Sequence, residues 1–377
     1  MKEELLSRAE CNALRGLAIA GIFLHNYAHW LGPIVKENEY QFFQRNVDWF
    51  NQVLIHPDAN LLLHLLSFFG HYGVPVFLFL SAYGLVKKYE RVMPSMPVAH
   101  ENVSLRERGT GTFRFLRYHF LKLFKMMIVG FVAFTMVDAI TPGRWHYDVL
   151  KIVAQLGMFN NLLPTPDRQI WPGPYWFFGL MLQLYIVYRL LLYRRHWGVT
   201  VALMVLCVAL QLCLSPESES LNRYRYNFMG GMLPFGMGLL AARYERYVLS
   251  WRGPGSQVQW DACLFVVSLV LVYLMSLGFV TWTFVPVMVC ASCIGLVKLL
   301  TDAASSRFVR SCSWGLEWLG SISAALFVCH PITRKIFIPI SRQGDTYTGL
   351  LLYVIASLCL AWVFMQLMKR IPNPSMK

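Results

Sequence analysis

The sequence predicts an all-α integral membrane protein, and two observations support this prediction. Of the 377 residues, 56% are hydrophobic and only 14% are charged, whereas about 25% of residues are charged in soluble proteins. The mean hydropathy is +0.46, and apolar runs recur along the whole chain. We therefore expect one polytopic membrane domain that covers residues 1–377 and has no soluble extension.

Ten segments are apolar over the length that a membrane-spanning helix needs, about 20 residues for about 30 Å of hydrocarbon. The predicted spans are residues 13–33, 64–86, 120–140, 172–192, 197–214, 226–243, 260–278, 280–299, 319–338 and 348–368. An amphipathic stretch near 147–163 is predicted as an interfacial or re-entrant helix on the outer side. Proline-rich breakers at 164–174 follow it and lead the chain into the fourth span.

The charge pattern predicts the topology. The formal net charge of +14 comes from 34 Lys and Arg against 20 Asp and Glu, and cytoplasmic loops carry the excess of Lys and Arg. The basic segments are 87–125, 189–195, 243–252, 298–310 and 369–370. They fall on one side if both termini are cytoplasmic and 147–163 does not cross. We therefore predict a multi-pass protein of the cell (inner) membrane, without a nucleic-acid partner.

The first predicted span carries three ionisable side chains, those of Arg15, His25 and His29. Such side chains are costly inside a bilayer, so their presence there indicates a functional site. His64 and His71 in the second span lack a motif, and we predict structural roles for them. The outer loop at 34–60 mixes aromatic and charged residues, which fits either the wall of a site or an interfacial aromatic belt.

Four further patterns follow one another along the chain. They are LRGLAIAGIFLH at 14–25, FLFLSAYGL at 77–85, WFFGLMLQLY at 176–185 and LGSISAALFVCHP at 319–331. Together they resemble helices of the acyltransferase-3 family of membrane O-acyltransferases, over nearly the whole chain. The first resembles the family's Arg–His motif and the last its late histidine helix, here with His330. Gln183 stands where many members have Glu.

The Arg–His motif departs from the family pattern by one residue, because nine residues rather than ten separate Arg15 and His25. At about 100° per residue, His25 then lies roughly 80° from the Arg15 face, His29 about 40° from it, and Asn26 directly above Arg15. Three explanations remain open: Arg15 reaches round the helix, the helix is irregular near Gly21, or His29 replaces His25. We favour His25.

The resemblance implies roles for these residues. A general base near neutral pH is needed to deprotonate an acceptor hydroxyl, and histidine titrates there. His25 or His330 would be that base and the other a donor or orienting group, with His29 as the alternative to His25. Arg15 would bind the donor's phosphate or thioester oxygen or stabilise an oxyanion. Further basic residues expected to bind acetyl-CoA are Lys87, Arg114, Arg117 and Lys122.

The implied function is transfer of an acyl group, acetyl by resemblance, from acyl-CoA to a hydroxyl of a cell-surface or lipid-linked glycan. The expected partners are the lipid bilayer, the acyl-CoA donor and the glycan acceptor, and no metal is expected. The alternative is a polytopic transporter or flippase of lipid-linked glycans. That class predicts internal repeats or paired broken helices, and the sequence shows neither.

Overall fold

The computed structural model describes residues 4–92, 105–250, 256–302 and 306–375, and these residues form helices and loops without a β-strand. The helices are, in chain order, α1 (Arg8–Ala28), α2 (Gln44–Ile55), α3 (Leu61–Phe69), α4 (Gly73–Leu85), α5 (Leu105–Ile140), α6 (Val149–Leu156), α7 (Trp176–Val187), α8 (Trp197–Leu212), α9 (Glu219–Tyr226), α10 (Phe228–Arg243), α11 (Glu245–Ser250), α12 (Gln257–Met275), α13 (Phe279–Trp282), α14 (Val285–Asp302), α15 (Arg307–Arg342) and α16 (Thr346–Arg370).

Seven helical stretches within the described residues are long and apolar enough to cross a membrane. They are Leu61–Arg91, Thr110–Ile140, Gly173–Leu192, Gln257–Met275, Val285–Asp302, Arg307–Arg342 and Thr346–Arg370. The other three predicted spans coincide with α1, which is long but carries several charges, and with α8 and α10, which have 16 residues each. The prediction of an all-α integral membrane protein is confirmed.

The stretch near 147–163 does not cross the bundle. Its helix α6 has only eight residues, which is about 12 Å at 1.5 Å per residue and less than half the hydrocarbon thickness. The apolar side chains of Val149, Leu150 and Val153 are exposed on it. This geometry is that of a short helix lying at one end of the bundle, as the sequence predicts.

Ion pairs and hydrogen bonds gather the basic segments at one end of the bundle, the end at which α1 begins. Lys87 lies 3.1 Å from Glu245, Arg243 lies 2.8 Å from Glu90, and Lys125 Nζ donates to the Ile371 carbonyl at 2.6 Å. We call this the basic end. That the basic segments lie at the same end of the bundle agrees with the predicted topology. Residues 93–104 of the first basic segment lie outside the described part of the chain.

Helix α1 lies in the core and packs most closely on α15. A side chain at Gly16 would come within 1.9 Å of the Leu316 carbonyl oxygen, and one at Gly320 within 1.9 Å of the Asn12 carbonyl oxygen. Small residues of this kind let membrane helices approach closely. The helix is uninterrupted from Arg8 to Ala28, so an irregularity near Gly21 does not account for the Arg15–His25 spacing.

Candidate active site

Helix α1 contributes to two separate cavities. At its far end, away from the basic end, it lines a cavity of about 120 Å³ together with His71 from the turn between α3 and α4, and we call this the histidine cavity. Near its start it lines a cavity of about 570 Å³ with several cationic side chains, which we call the basic cavity. Of the predicted site residues, His25 and His29 line the histidine cavity, and Arg15 and Lys122 line the basic cavity.

His25 is fixed at the wall of the histidine cavity. Its side chain is buried, and Nδ1 lies 2.9 Å from the Ser67 carbonyl oxygen. Because a carbonyl oxygen only accepts, Nδ1 carries the proton and Nε2 keeps its lone pair. Gly70 makes room for the ring, since a Cβ there would lie 2.6 Å from Cβ of His25. The local fold therefore sets both the position and the tautomer of His25.

Glu37, in the loop between α1 and α2, joins the two histidines of α1. His29 Nδ1 donates to Glu37 Oε1 at 2.9 Å, and His25 Nε2 lies 4.0 Å from the same oxygen. Burial opposes ionisation of Glu37, but the adjacent imidazoles outweigh it and hold the pKa of this carboxyl well below its usual range. Glu37 lies in no recognisable motif, and only the folded loop brings it to the histidines.

The same three side chains have the spacing of a metal site. His25, His29 and Glu37 each offer one ligand atom, and these atoms lie within 4.8 Å of one another. Two imidazoles and a carboxylate suit a divalent transition metal. The same three side chains equally form a hydrogen-bonded acid–base cluster, because Glu37 already accepts a hydrogen bond from His29. The expectation that no metal is needed stays a prediction.

Other side chains complete the wall of the histidine cavity. His71, expected to be structural, is buried with its ring centroid 5.4 Å from that of His25, and it lines the cavity. Burial raises the pKa of Glu39 to about 8, with the charge of Glu37 adding to the effect. The aromatic side chains of the wall are Trp30, Tyr40, Trp171, Trp176, Phe177, Tyr226 and Phe327. The loop at 34–60 therefore contributes to a site wall, the first of its two interpretations.

Helix α15 contributes one predicted and one unpredicted residue. His330 is fully buried, its Nδ1 donates to the Leu326 carbonyl at 3.1 Å, and its Nε2 has no hydrogen-bond partner among the described residues. It lies one turn from Phe327 and from Arg334, both of which line the histidine cavity. Arg334 Nη1 donates to Oδ1 of Asn26 at 3.2 Å, so Asn26 pairs with Arg334 rather than with Arg15.

Arg15 lies in the basic cavity and contacts neither histidine of α1. His25 lies ten positions further along the helix, about 15 Å at 1.5 Å per residue. Its Nη1 donates to Asn12 Oδ1 at 2.8 Å, which directs the guanidinium towards the basic end. Neither His25 nor His29 therefore faces Arg15, because Arg15 lines a different cavity.

The basic cavity contains part of the predicted donor-binding set. Lys88 and Lys122 line it together with Arg15 and His119. Lys87 does not, since its ammonium group pairs with Glu4 and Glu245. The sequence predicted Lys87 as a donor-binding residue, whereas the neighbouring Lys88 is the one that faces the cavity, because adjacent residues on a helix point about 100° apart. Arg114 and Arg117 are exposed and do not line the cavity.

Two phenylalanines form a common wall of the cavities. Phe177 of α7 and Phe327 of α15 line both, and their ring centroids lie 5.3 Å apart. Because each ring lines both cavities, the wall between the two chambers is one aromatic side chain thick at these positions.

The whole chain was then compared with known proteins. A family model described as an acyltransferase domain, the acyltransferase-3 model, matches residues 8–366, nearly the whole chain. The chain belongs to the acyltransferase-3 family. Comparisons with curated proteins and with solved structures found no match. This acyltransferase-3 protein is thus a multi-pass membrane acyltransferase, and family membership leaves the transporter alternative without support.

One family-pattern departure has a structural explanation in this acyltransferase. Gln183 of α7 donates from Nε2 to Asn227 Oδ1 at 2.8 Å and accepts from the Phe228 backbone N–H at 2.9 Å. An amide both donates and accepts, whereas a carboxylate only accepts. Gln183 therefore ties α7 to the start of α10 and is not in the lining of the histidine cavity.

Proposed function

We propose that this membrane acyltransferase moves an acetyl group from acetyl-CoA to a hydroxyl of a cell-surface or lipid-linked glycan, with His25 as general base. The observation that carries the proposal is the arrangement of α1. This one helix presents Arg15 to the basic cavity and His25 to the histidine cavity, and Phe177 and Phe327 separate the two. The protein would lie in the cell (inner) membrane with its basic end in the cytoplasm.

Donor binding would use the basic cavity. Coenzyme A is polyanionic, and cations at the cytoplasmic end favour its phosphates through charge-assisted hydrogen bonds. Arg15, Lys88 and Lys122 are the basic lysine and arginine residues that line this chamber. The thioester end of the donor would then point along α1 towards the phenylalanine wall and His25. Arg15 is too far from His25 to share one carbonyl oxygen with it, which favours phosphate binding over oxyanion stabilisation.

The small size of the histidine cavity favours a short acyl group. Its volume is about 120 Å³, whereas pockets for drug-sized ligands measure roughly 300–1,000 Å³. The chamber must also admit the acceptor hydroxyl, which leaves little space for an acyl chain. Acetyl fits these limits.

The aromatic wall of the same cavity supports a sugar acceptor. Tyr40 and Tyr226 are stacked with centroids 3.9 Å apart, and Trp171 and Trp176 lie along the same lining. Aromatic faces cover the apolar side of a ring ligand, while a few polar groups orient its hydroxyls. Such a wall lies at the end of the bundle opposite the basic end, where an external or lipid-linked glycan would arrive.

The chemistry requires one proton transfer in each direction. His25 Nε2 takes the proton from the acceptor hydroxyl as its oxygen attacks the thioester carbonyl carbon. The new C–O bond forms, the C–S bond breaks, and the imidazolium returns the proton to the departing coenzyme A thiolate. Glu37, 4.0 Å from His25 Nε2, stabilises the imidazolium in between. His29 would hold Glu37 in place through their hydrogen bond.

His25 is favoured over His29 because it lies one helical turn closer to the phenylalanine wall and the donor. It is also more deeply buried, with 3% of its side chain exposed against 22% for His29. The hydrogen-bonded His29–Glu37 pair is the competing candidate for the base. Variants of the two histidines separate these roles.

The function is tested with membranes that contain the wild-type protein or an empty vector. They are incubated with [1-¹⁴C]acetyl-CoA, and label is followed into lipid-linked and surface glycan, with and without EDTA. We expect glycan labelling that depends on the protein and is unaffected by EDTA, because a general base needs no metal. Absence of protein-dependent labelling would contradict the proposal, and loss on chelation would assign the histidine–carboxylate cluster to a metal.

A further inference from the structure

Arg334 is a buried cation in the histidine cavity, and no described residue provides it with a carboxylate partner. Its side chain lines the cavity, and the residue is only 6% exposed. Its Nη1 donates to the Asn26 side-chain oxygen at 3.2 Å and lies 3.4 Å from the Asn26 carbonyl oxygen. Its guanidinium carbon lies 5.1 Å from the ring centroid of Trp30. All these partners are neutral, so the positive charge is held in position but not neutralised.

Three other buried or partly buried cations on the helices pair with carboxylates. Lys298 pairs with Glu10 at 3.4 Å, Lys335 pairs with Asp138, and Arg243 pairs with Glu90 at 2.8 Å. Among the described residues, Arg334 forms no such ion pair. An unpaired charge is costly at membrane depth, and such residues mark sites that bind a charged ligand.

The acids in the histidine cavity do not serve as counter-ions for Arg334. Glu37 is engaged by His29 and His25. Glu39 lies in the same wall, but among the described residues it forms no ion pair with Arg334. The cavity therefore offers an anion a guanidinium that Asn26 orients, beside aromatic faces that suit a sugar ring.

We propose that Arg334 binds an anionic group, a carboxylate or a phosphate, on the acceptor. This inference rests on the proposed function, since it names the chemical class of the acceptor of that reaction: an acidic sugar or a sugar phosphate. A guanidinium binds either group through paired hydrogen bonds. The Trp30 ring covers one face of the guanidinium, so the ligand approaches from the cavity side.

The test measures binding to the purified full-length protein by calorimetry. The probes are glucose, glucuronate, glucose 1-phosphate and inorganic phosphate. We expect the two charged sugars to bind at least about tenfold more tightly than glucose, as a charge-assisted hydrogen bond implies. Inorganic phosphate distinguishes the contribution of the sugar ring from that of the anionic group. It should bind more weakly than glucose 1-phosphate, because it lacks the ring that the aromatic wall contacts.

Variants test whether the preference for charged sugars over glucose depends on Arg334. Arg334→Gln should reduce it to twofold or less, and Arg334→Lys should retain part of it, which guards against misfolding of the first variant. Arg342→Gln is the matched control, because Arg342 also lies on α15 and donates to the Trp30 carbonyl at 2.9 Å but is exposed and outside the cavity lining. Equal binding of charged and neutral sugars, or a preference that survives in Arg334→Gln, would overturn the inference.

A second arm distinguishes an anionic acceptor from an anionic acyl group. Acetyl-CoA and succinyl-CoA are compared as donors for the wild type and Arg334→Gln. A wild-type preference for succinyl-CoA that disappears in Arg334→Gln would overturn the assignment to the acceptor. If no donor supports transfer but the binding preference holds, the proposed function fails and the anion site stands. If acetyl transfer occurs without any preference, only the anion site fails.

Discussion

The rings of Phe177 and Phe327 lie 5.3 Å apart between centroids and line both the basic cavity and the histidine cavity. One comes from α7 and the other from α15, so the wall depends on the packing of two helices distant in sequence. In the proposed reaction the acyl group passes this wall and stops just beyond it. The wall would therefore limit acyl length.

Truncating a phenylalanine of this wall should reduce the selectivity for acetyl over longer acyl groups. In Phe327→Ala, the space released beside His25 should raise the ratio of kcat/KM for octanoyl-CoA to that for acetyl-CoA about tenfold or more, since each methylene accommodated in a pocket contributes a comparable factor. Phe178→Ala is the control, because Phe178 lines only the basic cavity. An unchanged ratio in Phe327→Ala, measured with both donors, would show that the wall does not select acyl length.

Donor affinity should depend on the cations of the basic cavity. Arg15→Gln and Lys88→Gln each remove a charge-assisted contact to the donor and should raise KM for acetyl-CoA about tenfold with a smaller change in kcat. Arg114→Gln should leave KM unchanged, because Arg114 is exposed and outside the cavity. The reverse result, an effect at Arg114 and none at Arg15, would mean that the charge pattern of the sequence predicts the donor site better than the cavity does.

Glu37 should influence the pH dependence of transfer. Its carboxylate stays ionised because the adjacent imidazoles hold its pKa well below the usual range, and this charge favours the protonated imidazole of the base. In Glu37→Gln we expect a lower maximal rate and an acidic limb of the pH–rate profile that moves to lower pH. Rates measured between pH 5 and 9 check this, and a limb that moves to higher pH would contradict the placement of Glu37 beside the base.

Glu39 should make the folded protein less stable as the pH rises, whereas a carboxylate in an ion pair makes it more stable. Its pKa is raised from 4.5 to about 8, so the folded state binds a proton that the unfolded state releases, and stability falls as pH rises through this interval. Glu39→Gln removes this penalty. Relative to wild type, its Tm should increase progressively between about pH 5 and pH 8 and level off above. A constant Tm difference across this range would show that Glu39 is ionised in the folded protein.

The sequence predicted the membrane class, the shared end of the basic segments and the two histidine helices, because these depend on composition and local periodicity. His25 lines the histidine cavity, and His330 lies one helical turn from two residues that line it, but their catalytic roles stay predictions. Glu37 and Arg334 could not be predicted, since they reach that cavity only through the loop after α1 and the packing of α15. The choice between Lys87 and Lys88 likewise depends on helix rotation, which a pattern of neighbouring charges does not determine.

The central claim is that His25 is the general base, and the most direct measurement is the rate of acetyl transfer from labelled acetyl-CoA by single histidine variants. His25→Gln should lower kcat by about 10²–10⁴-fold, the usual contribution of general base catalysis, without a comparable rise in KM for acetyl-CoA. His29→Gln should lower it less, and His56→Gln, altered at an exposed position after α2, should transfer at the wild-type rate. Wild-type kcat in His25→Gln would contradict the claim, and a loss confined to His29→Gln would transfer the role of base to His29.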